Sequence, residues 1–491
     1  MQLKPSDVTA CLVTRGDVPQ LIADRVDQFR RLGMQVAVWD NSVETDKKVY
    51  GRYMAAERAN TAAVFFQDDD IVLTDEQILN ILEHYEPGVL VSNMYDEWIE
   101  SMGYTDLAMV GLGAVCDNGL WRDSFLRFIE EYGDSEERLL LDPDFIFGTL
   151  TPYRRYDFGH EILPEASADN RLWKQEGQHE RKYETVNMAR DLRRICLTIM
   201  AKDEEGNIRR ALESTVNVYD EILLLDTGST DDTITVVEAF AGKHGKPLTV
   251  VEAPFSTFRD MRNLLFEEGR KLAEYQLLMD ADEEWTPCAR SDFGSLWGDG
   301  YMLHYDGSVD YAQPRLIASR FPWRFTGERH SYLDTDHPSF QAVVVNMKHP
   351  RIIHHGDDRH GMDKVLADIA WLETEIEATT DDLPRNLFLL GKAFDFGHDN
   401  LKAIDAYRRR IELSTGDEES YWSKYRLGCL TCETLNDLKT GIELLWEAYQ
   451  DRPSRVEALR AMAFYCTAVA DATPYPEDDH LLVMRNMYRS V

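Results

Sequence analysis

Short hydrophobic runs closed by acidic residues alternate with longer amphipathic segments along most of the chain. Val8 to Val13 reads as a strand, Pro19 to Leu32 as a helix charged on one face, and Gln35 to Trp39 as a strand ending in Asp40 and Asn41. A helix-like segment from Gly51 to Asn60 leads to the strand Ala62 to Phe66, which runs straight into Gln67, Asp68, Asp69 and Asp70. The pattern is β-α-β-α-β with acids at the carboxyl ends of the strands. In an open parallel sheet those ends line the ligand crevice.

The plan restarts near residue 195, after the charged stretch GQHERKYETVNMARDLRR. Ile195 to Met200 predicts a strand leading to Lys202, Asp203, Glu204 and Glu205; after a helix, the strand Glu221 to Leu225 ends in Asp226. TGSTDDT then supplies small and capping residues for a loop feeding a helix near Asp231. The strand Leu248 to Val251, a helix around Asp260 to Glu274 and the strand Gln276 to Met279 follow, the last ending in Asp280, Ala281, Asp282, Glu283 and Glu284. One architecture is expected twice.

From about Asp381 the period becomes helical, over Pro384 to Asp395, Leu401 to Leu413, Glu418 to Leu435, Leu438 to Tyr449 and Arg455 to Ala470. Gly391, Ala393, Ala403, Gly428 and Ala458 recur where helix pairs would cross closely, as in tetratricopeptide-type solenoids. The expected domains are therefore 1–190, 191–378 and 379–491, the last a packing or docking module that could recruit a protein partner.

The composition narrows the function. The chain has 491 residues, 44% hydrophobic, with 53 Lys+Arg against 88 Asp+Glu and a formal charge of −35. That is material for packed cores, and it excludes fibrous and low-complexity classes. The acidic excess argues against a whole-surface polyanion binder, although Arg154-Arg155, Arg190 to Arg194 and Arg315 to Arg324 offer a local basic track. No run reaches the ~20 apolar residues of a membrane span, and the N-terminal stretch lacks a signal-peptide core. A cytoplasmic protein with reduced thiols is expected from seven scattered Cys, and Cys429 and Cys432 read as helix packing rather than a zinc site.

Two carboxylates at i and i+2 beyond a buried strand can reach one hard divalent cation, which in turn binds the phosphates of a nucleotide diphosphate. Asp280-Ala281-Asp282 has this form, and so does Asp68-Asp69-Asp70. A plain solvated turn is the alternative reading of either.

LTIMAKDEEGNIRRALES, YDEILLLDTGSTDDT, FSTFRDMRN and LLMDADEEW, in this order, resemble the inverting family 2 glycosyltransferases of the GT-A fold, in the branch with a C-terminal tetratricopeptide region. The resemblance implies that Lys202, Glu204, Asp226, Thr227, Ser229, Asp231 and Arg262 line the nucleotide-sugar pocket, and that Asp280 and Asp282 hold an Mn²⁺ or Mg²⁺ diphosphate. Thr227 stands where many members have a second Asp. Gly327-Glu328-Arg329-His330-Ser331 is similar to the branch's Gly-x-x-His-Glu element, with Ser331 in place of the carboxylate, and His354-His355-Gly356 points to His354 as a late metal ligand. His330 or Glu328 would serve as the general base.

VFFQDDDIVL, VGLGAVCDNGLW, LDPDFIFGTLTPYRRYDFG and ASADNRLWKQEGQH resemble a more distant GT-A glycosyltransferase of the exostosin-type or phage-encoded kind. By that resemblance Asp68 and Asp70 bind metal with His179 as late ligand, and Asp144 meets the transferred sugar. Thr14, Arg15 and Asp40 bind the nucleotide sugar, and Arg171 in Asn170 to Trp173 faces phosphate. A turn at Asp142-Pro143-Asp144 and a charged loop at Arg171 are the alternatives.

The implied fold class is α/β: two GT-A (Rossmann-like βαβ) domains followed by an α-helical, tetratricopeptide-like solenoid. The implied function is a bifunctional metal-dependent glycosyltransferase using a nucleotide-diphosphate sugar, a UDP-sugar first of all. Its acceptor is left open between hydroxymethylpyrimidine in phage DNA, a protein and a glycan. A nucleotide-sugar-binding scaffold with one inactive domain and a nucleotidyltransferase are the competing classes.

Overall fold

The computed structural model describes residues 3–94, 103, 106–133, 136–163, 176–307, 311–327, 331–335, 342–355, 361–378, 382–413 and 417–472. The chain divides into two compact units, residues 1–356 and 357–491.

The first unit holds two mixed sheets. One contains β1 (Val8–Thr14), β2 (Gln35–Asp40), β3 (Ala63–Phe66), β5 (Leu90–Asn93), β6 (Ala114–Asp117) and β7 (Tyr153–Tyr156), in the order β2-β1-β3-β6-β5-β7. A separate short pair joins β4 (Ile71–Val72) to β8 (Glu161–Ile162). β1, β2 and β3 are parallel, and β6 runs antiparallel to β3. The second sheet contains β9 (Ile195–Ala201), β10 (Glu221–Asp226), β11 (Leu248–Glu252), β12 (Tyr275–Asp280), β13 (Glu283–Trp285), β14 (Gly300–Tyr305), β15 (Ala312–Ala318) and β18 (Val344–His354). Its order is β11-β10-β9-β12-β15-β14-β18-β13, and β16 (Trp323–Thr326) and β17 (Tyr332–Thr335) form a hairpin beside it. The parallel strands are the ones legible as continuous apolar runs, because both of their faces are covered. Ile195, Leu197, Ile222, Leu224, Tyr275 and Leu277 meet in one core, all fully buried.

The registers bring the acidic strand ends side by side. Thr14 pairs with Asp40 in the first sheet; Asp226 pairs with Ala201, and Asp280 with Met200, in the second.

Buried charge ties the two sheets together. Asp106 is fully buried and receives Arg190 Nη2 at 2.5 Å and Arg193 Nη1 at 2.6 Å. Arg193 also donates to the Thr149 carbonyl, on the first-sheet side, and to the Leu296 carbonyl, on the second. Arg127 donates to Glu274 Oε1 at 2.7 Å, while the Arg194 amide donates to Glu274 Oε2 at 2.6 Å. Part of the expected basic track is internal: Arg190, Arg193, Arg315 and Arg320 have carboxylate partners, because a guanidinium's fork of donors can satisfy buried acceptors from several segments at once, whereas Arg324 is exposed.

The second unit is helical, with Gly361–Ala378, Leu383–Phe396, Asn400–Glu412, Glu418–Thr434, Leu438–Asp451 and Glu457–Ala472. It begins earlier than the expected residue 379, since the helix Gly361–Ala378 packs Leu372 into the same core as Leu390 and Tyr407. Two of the small residues mark close approaches: a Cβ at Gly391 would stand 2.7 Å from the Tyr407 ring, and one at Gly428 2.8 Å from Leu445 Cγ. Cys429 and Cys432 are buried in a second core of the helical unit, with Tyr421 and Leu445. Among the described residues no helix is long and apolar enough to cross a membrane.

The Asp106 cluster generates a stability prediction. Burial opposes the Asp106 charge, but Arg193 and Arg190 outweigh it and hold its carboxyl well below the usual carboxylate range. The stabilisation is therefore complete above the unfolded value of about 3.9 and is lost as pH falls below it toward the lower folded value. Asp106→Ala is expected to cost about 3–5 kcal/mol in urea unfolding at neutral pH. Between pH 4 and pH 3 the stability of Asp106→Asn should fall less steeply than that of the unaltered chain.

Candidate functional site

The loops that leave β9 and β10 interlock. Asp226, nearly fully buried, accepts the Gly228 and Ser229 amides, both at 3.0 Å, and so closes the turn that Gly228 enters with φ +103°. The Thr227 amide donates to the Ala201 carbonyl at 3.0 Å. Ser229 Oγ accepts the Asp203 amide, and Asp203 Oδ1 in return accepts the Thr230 amide at 2.6 Å. Asp231 accepts the Glu205 amide, Glu205 accepts the Asp232 amide, and Thr233 Oγ1 accepts the Glu204 amide. The expected residues Glu204, Asp226, Thr227, Ser229 and Asp231 are thus brought together, and Lys202 stands exposed at the rim. Much of this acidic cluster orders backbone, since carboxylates and hydroxyls beside turns satisfy amides that no helix or sheet would.

At the end of β12 the first carboxylate of the pair is enclosed by arginines. Asp280 Oδ1 faces Arg262 Nη2 at 3.4 Å, and Oδ2 faces Arg315 Nη2 at 3.2 Å. Arg315 also pairs with Glu283 and donates to the Tyr305 hydroxyl, which in turn donates to Glu283 Oε1 at 2.7 Å. Burial opposes the Asp280 charge, yet Arg315 and Arg262 outweigh it and hold the carboxyl below the ordinary range. Burial lifts the Glu283 carboxyl against the pull of Arg315, and the neighbouring Asp280 adds to that lift.

Asp282 has a different partner. His354 Nε2 lies 3.2 Å from Asp282 Oδ2, brought there by the pairing of Glu283 with His354. A cavity of about 170 Å³ opens beside this corner, lined by Arg262, Asp280, Arg315, Phe325 and Ser331 among others. Arg262 lies over the Phe325 ring and donates to Ser331 Oγ at 3.1 Å. His330 and Glu328 lie outside the described residues.

Among the described residues no group of three or more His, Cys, Asp or Glu side chains is arranged to hold a metal ion. The second sheet offers the pair Asp282 and His354. Magnesium-like ions commonly use one or two protein ligands and complete their shell with water and substrate phosphate, and imidazole is an acceptable donor to manganese. The pair fits a divalent ion that arrives with a diphosphate.

In the first sheet Thr14 Oγ1 accepts the Gly16 amide, Asp40 Oδ1 accepts both the amide and hydroxyl of Ser42, and Arg15 pairs with Asp17. Asp68 pairs with Arg52, which is 3% exposed and also reaches Asp144 Oδ2 at 3.2 Å. Asp144 accepts the Tyr53 hydroxyl at 2.7 Å, and burial lifts its carboxyl above the ordinary range despite Arg52. Asp144 is thus a buried partner of Arg52 and Tyr53. His179 stands on the helix Gln178–Asp191, its Nε2 3.4 Å from the Gln178 amide nitrogen. Arg171 lies outside the described residues.

Arg52 and Tyr305 escaped the sequence reading, and Arg315 and Glu283 entered it only as parts of a basic track and an acidic strand end. Their partners are 16 to 92 residues away in the chain for Arg52 and 32 for Arg315 with Glu283, so no local spacing signals them.

Residues 196–296 match the profile of the family described as Glycosyl transferase family 2. An uncharacterized glycosyltransferase of Rickettsia typhi is 31% identical over 93 residues, which is 19% of this chain and 29% of that protein. One from Rickettsia bellii is 32% identical over 116 residues, 23% of this chain and 37% of that protein. The chain thus spans about a third of the length of these curated relatives. Among solved structures, S. aureus TarS 1–349 in complex with UDP overlays with a TM-score of 0.27 at 12% identity, over 58% of this chain and 94% of that one. M. tuberculosis glucosyl-3-phosphoglycerate synthase overlays with a TM-score of 0.16 at 24% identity, over 20% and 37%.

The arginine enclosure is expected to be structural as well as local. Arg315→Met leaves Glu283 buried without its cation and should lower the unfolding free energy by about 3–5 kcal/mol. The loss in Arg315→Met/Glu283→Gln should fall short of the sum of the two single losses, read from urea unfolding curves.

Proposed function

We propose that the chain is a glycosyltransferase that moves a sugar from a nucleotide-diphosphate sugar, a UDP-sugar first of all, to an acceptor hydroxyl, with transfer centred on the second sheet. The observation that carries this reading is the convergence at one sheet edge of the interlocked loops after β9 and β10 with the Asp282–His354 pair, largely inside the segment that matches Glycosyl transferase family 2. This is the carboxyl edge of the parallel strands, where open α/β sheets bind nucleotides.

In this mechanism the two loops form a pre-ordered cradle for the base and ribose. Asp282 and His354 would hold the Mn²⁺ or Mg²⁺, which when bound neutralises charge on the departing diphosphate. Arg262, partly exposed at the cavity, is held by Asp280 and the Phe325 face where a second positive charge can meet the same leaving group. The general base is assigned to His330 or Glu328, which precede Ser331; the base takes the acceptor proton as the hydroxyl attacks the anomeric carbon.

A protein or glycan acceptor is favoured over DNA. The net charge is −35, and Arg190, Arg193, Arg315 and Arg320 are spent on internal carboxylates rather than presented to phosphate. The helical unit is assigned to acceptor or partner docking.

The test is release of nucleoside diphosphate from a panel of UDP- and GDP-sugars with Mn²⁺, with candidate protein, glycan and modified-DNA acceptors in parallel. Asp282→Asn and His354→Asn should each lower kcat on the order of 100-fold while leaving the unfolding midpoint nearly unchanged. Turnover unaffected by both substitutions sinks the reading, and pyrophosphate as product would replace it with nucleotidyl transfer.

A further inference from the structure

Both halves of residues 1–356 follow an Asp-x-Asp pair with a short strand that runs antiparallel to a later one. In the second half Asp280 and Asp282 precede β13, whose Glu283 stands opposite His354, and the His355 amide donates to the Asp282 carbonyl at 2.9 Å. In the first half Asp68 and Asp70 precede β4, whose Ile71 stands opposite Ile162, and the Leu163 amide donates to the Asp70 carbonyl at 2.9 Å. The two registers correspond residue for residue, so Ile162 holds the place of His354. An imidazole can ligate a divalent cation; a branched hydrocarbon cannot.

The first carboxylate of the pair is closed as well. Arg52 pairs with Asp68 Oδ1, and Gly111 backs the other oxygen so closely that a Cβ there would stand 2.1 Å from Oδ2. Asp280 is likewise engaged, by Arg262 and Arg315. In both halves the second carboxylate and its cross-strand neighbour therefore decide whether a cation is held. The second half has Asp and His there, and the first has Asp and Ile. His179, the residue expected from the sequence to complete the first site, stands on the helix Gln178–Asp191, and among the described residues it forms no metal-holding group with Asp68 and Asp70.

We infer that, among the described residues, a divalent cation is held at Asp282 and His354 alone, and that in the first half Asp68 serves with Asp144 as an ion-paired structural node around Arg52 rather than as part of a cation site. The described donor residues of the first half do not fit the metal that its resemblance implies, so among the described residues two-metal bifunctionality gives way to one cation-dependent centre. The location of that one site rests on the proposed function; the ion-paired node in the first half does not.

Mn²⁺ binding to the full chain, followed by the electron paramagnetic resonance signal of the free ion with and without UDP, tests this directly. One Mn²⁺ per chain is expected in both conditions, retained in Asp70→Asn and lost in the Asp282→Asn/His354→Asn double variant. Ile162→His, which sets an imidazole opposite Asp70, is expected to raise the stoichiometry to two. Two Mn²⁺ on the unaltered chain, loss of an ion in Asp70→Asn, or one ion still in Ile162→His would each overturn the inference. No Mn²⁺ on the unaltered chain would overturn the single-site statement, whereas one bound Mn²⁺ with no sugar transfer would overturn the proposed activity alone.

Discussion

The placement of the two sheets against each other depends on one fully buried carboxylate, Asp106, held between Arg190 and Arg193. Removing three charges from water is costly, and the cost is offset only where nearly every donor and acceptor finds a partner. Arg193 meets that condition by reaching carbonyls on both sides of the seam, Thr149 and Leu296, as well as Asp106. An apolar seam of the same area could slide with little change in energy. Directional ion pairs permit one docking, and with it one spacing between the first-sheet and second-sheet strand ends.

The same logic repeats at the candidate site on a smaller scale. Carboxylates after β9, β10 and β12 outnumber what any one ligand could use, and most of them are committed to backbone amides or to arginines. Asp226 fixes its turn from within, and Asp203 and Ser229 fix each other's loop. Such a site spends its acids on order before any ligand arrives, which reduces the entropy that binding must remove. The Asp282 and His354 pair differs because its geometry comes from strand register rather than from loop hydrogen bonds.

The parallel strands were legible because burial on two faces writes itself as uninterrupted Val, Ile, Leu and Phe, as in Ala63–Phe66 and Glu221–Asp226. The helical unit was legible through its period and through Gly391 and Gly428. Strands β14 to β18 were not, since GYMLHY and VVNMKHPRIIH mix polar and apolar residues without a clean alternation and owe their pairing to distant partners. Asp282 and His354 could be named from the sequence through motif resemblance. Arg315 could not be placed, because a buried cation and a surface cation look alike until the fold supplies Glu283 and Asp280. Ile162 was invisible for a similar reason: only the β4–β8 register shows what position it occupies.

The committed interior charges have a kinetic consequence for a negatively charged donor. Among the described residues the buried set holds five arginines against seven carboxylates, so the interior accounts for almost none of the net −35. The excess therefore faces solvent, and the proposed nucleotide-diphosphate sugar would diffuse toward a surface of its own sign. Encounter is slowed by long-range repulsion rather than steered, and dissolved salt, which screens over roughly 8 Å at physiological ionic strength, relieves that repulsion. For such a molecule added salt would speed capture of the donor, opposite to the behaviour of enzymes whose clefts draw anions in.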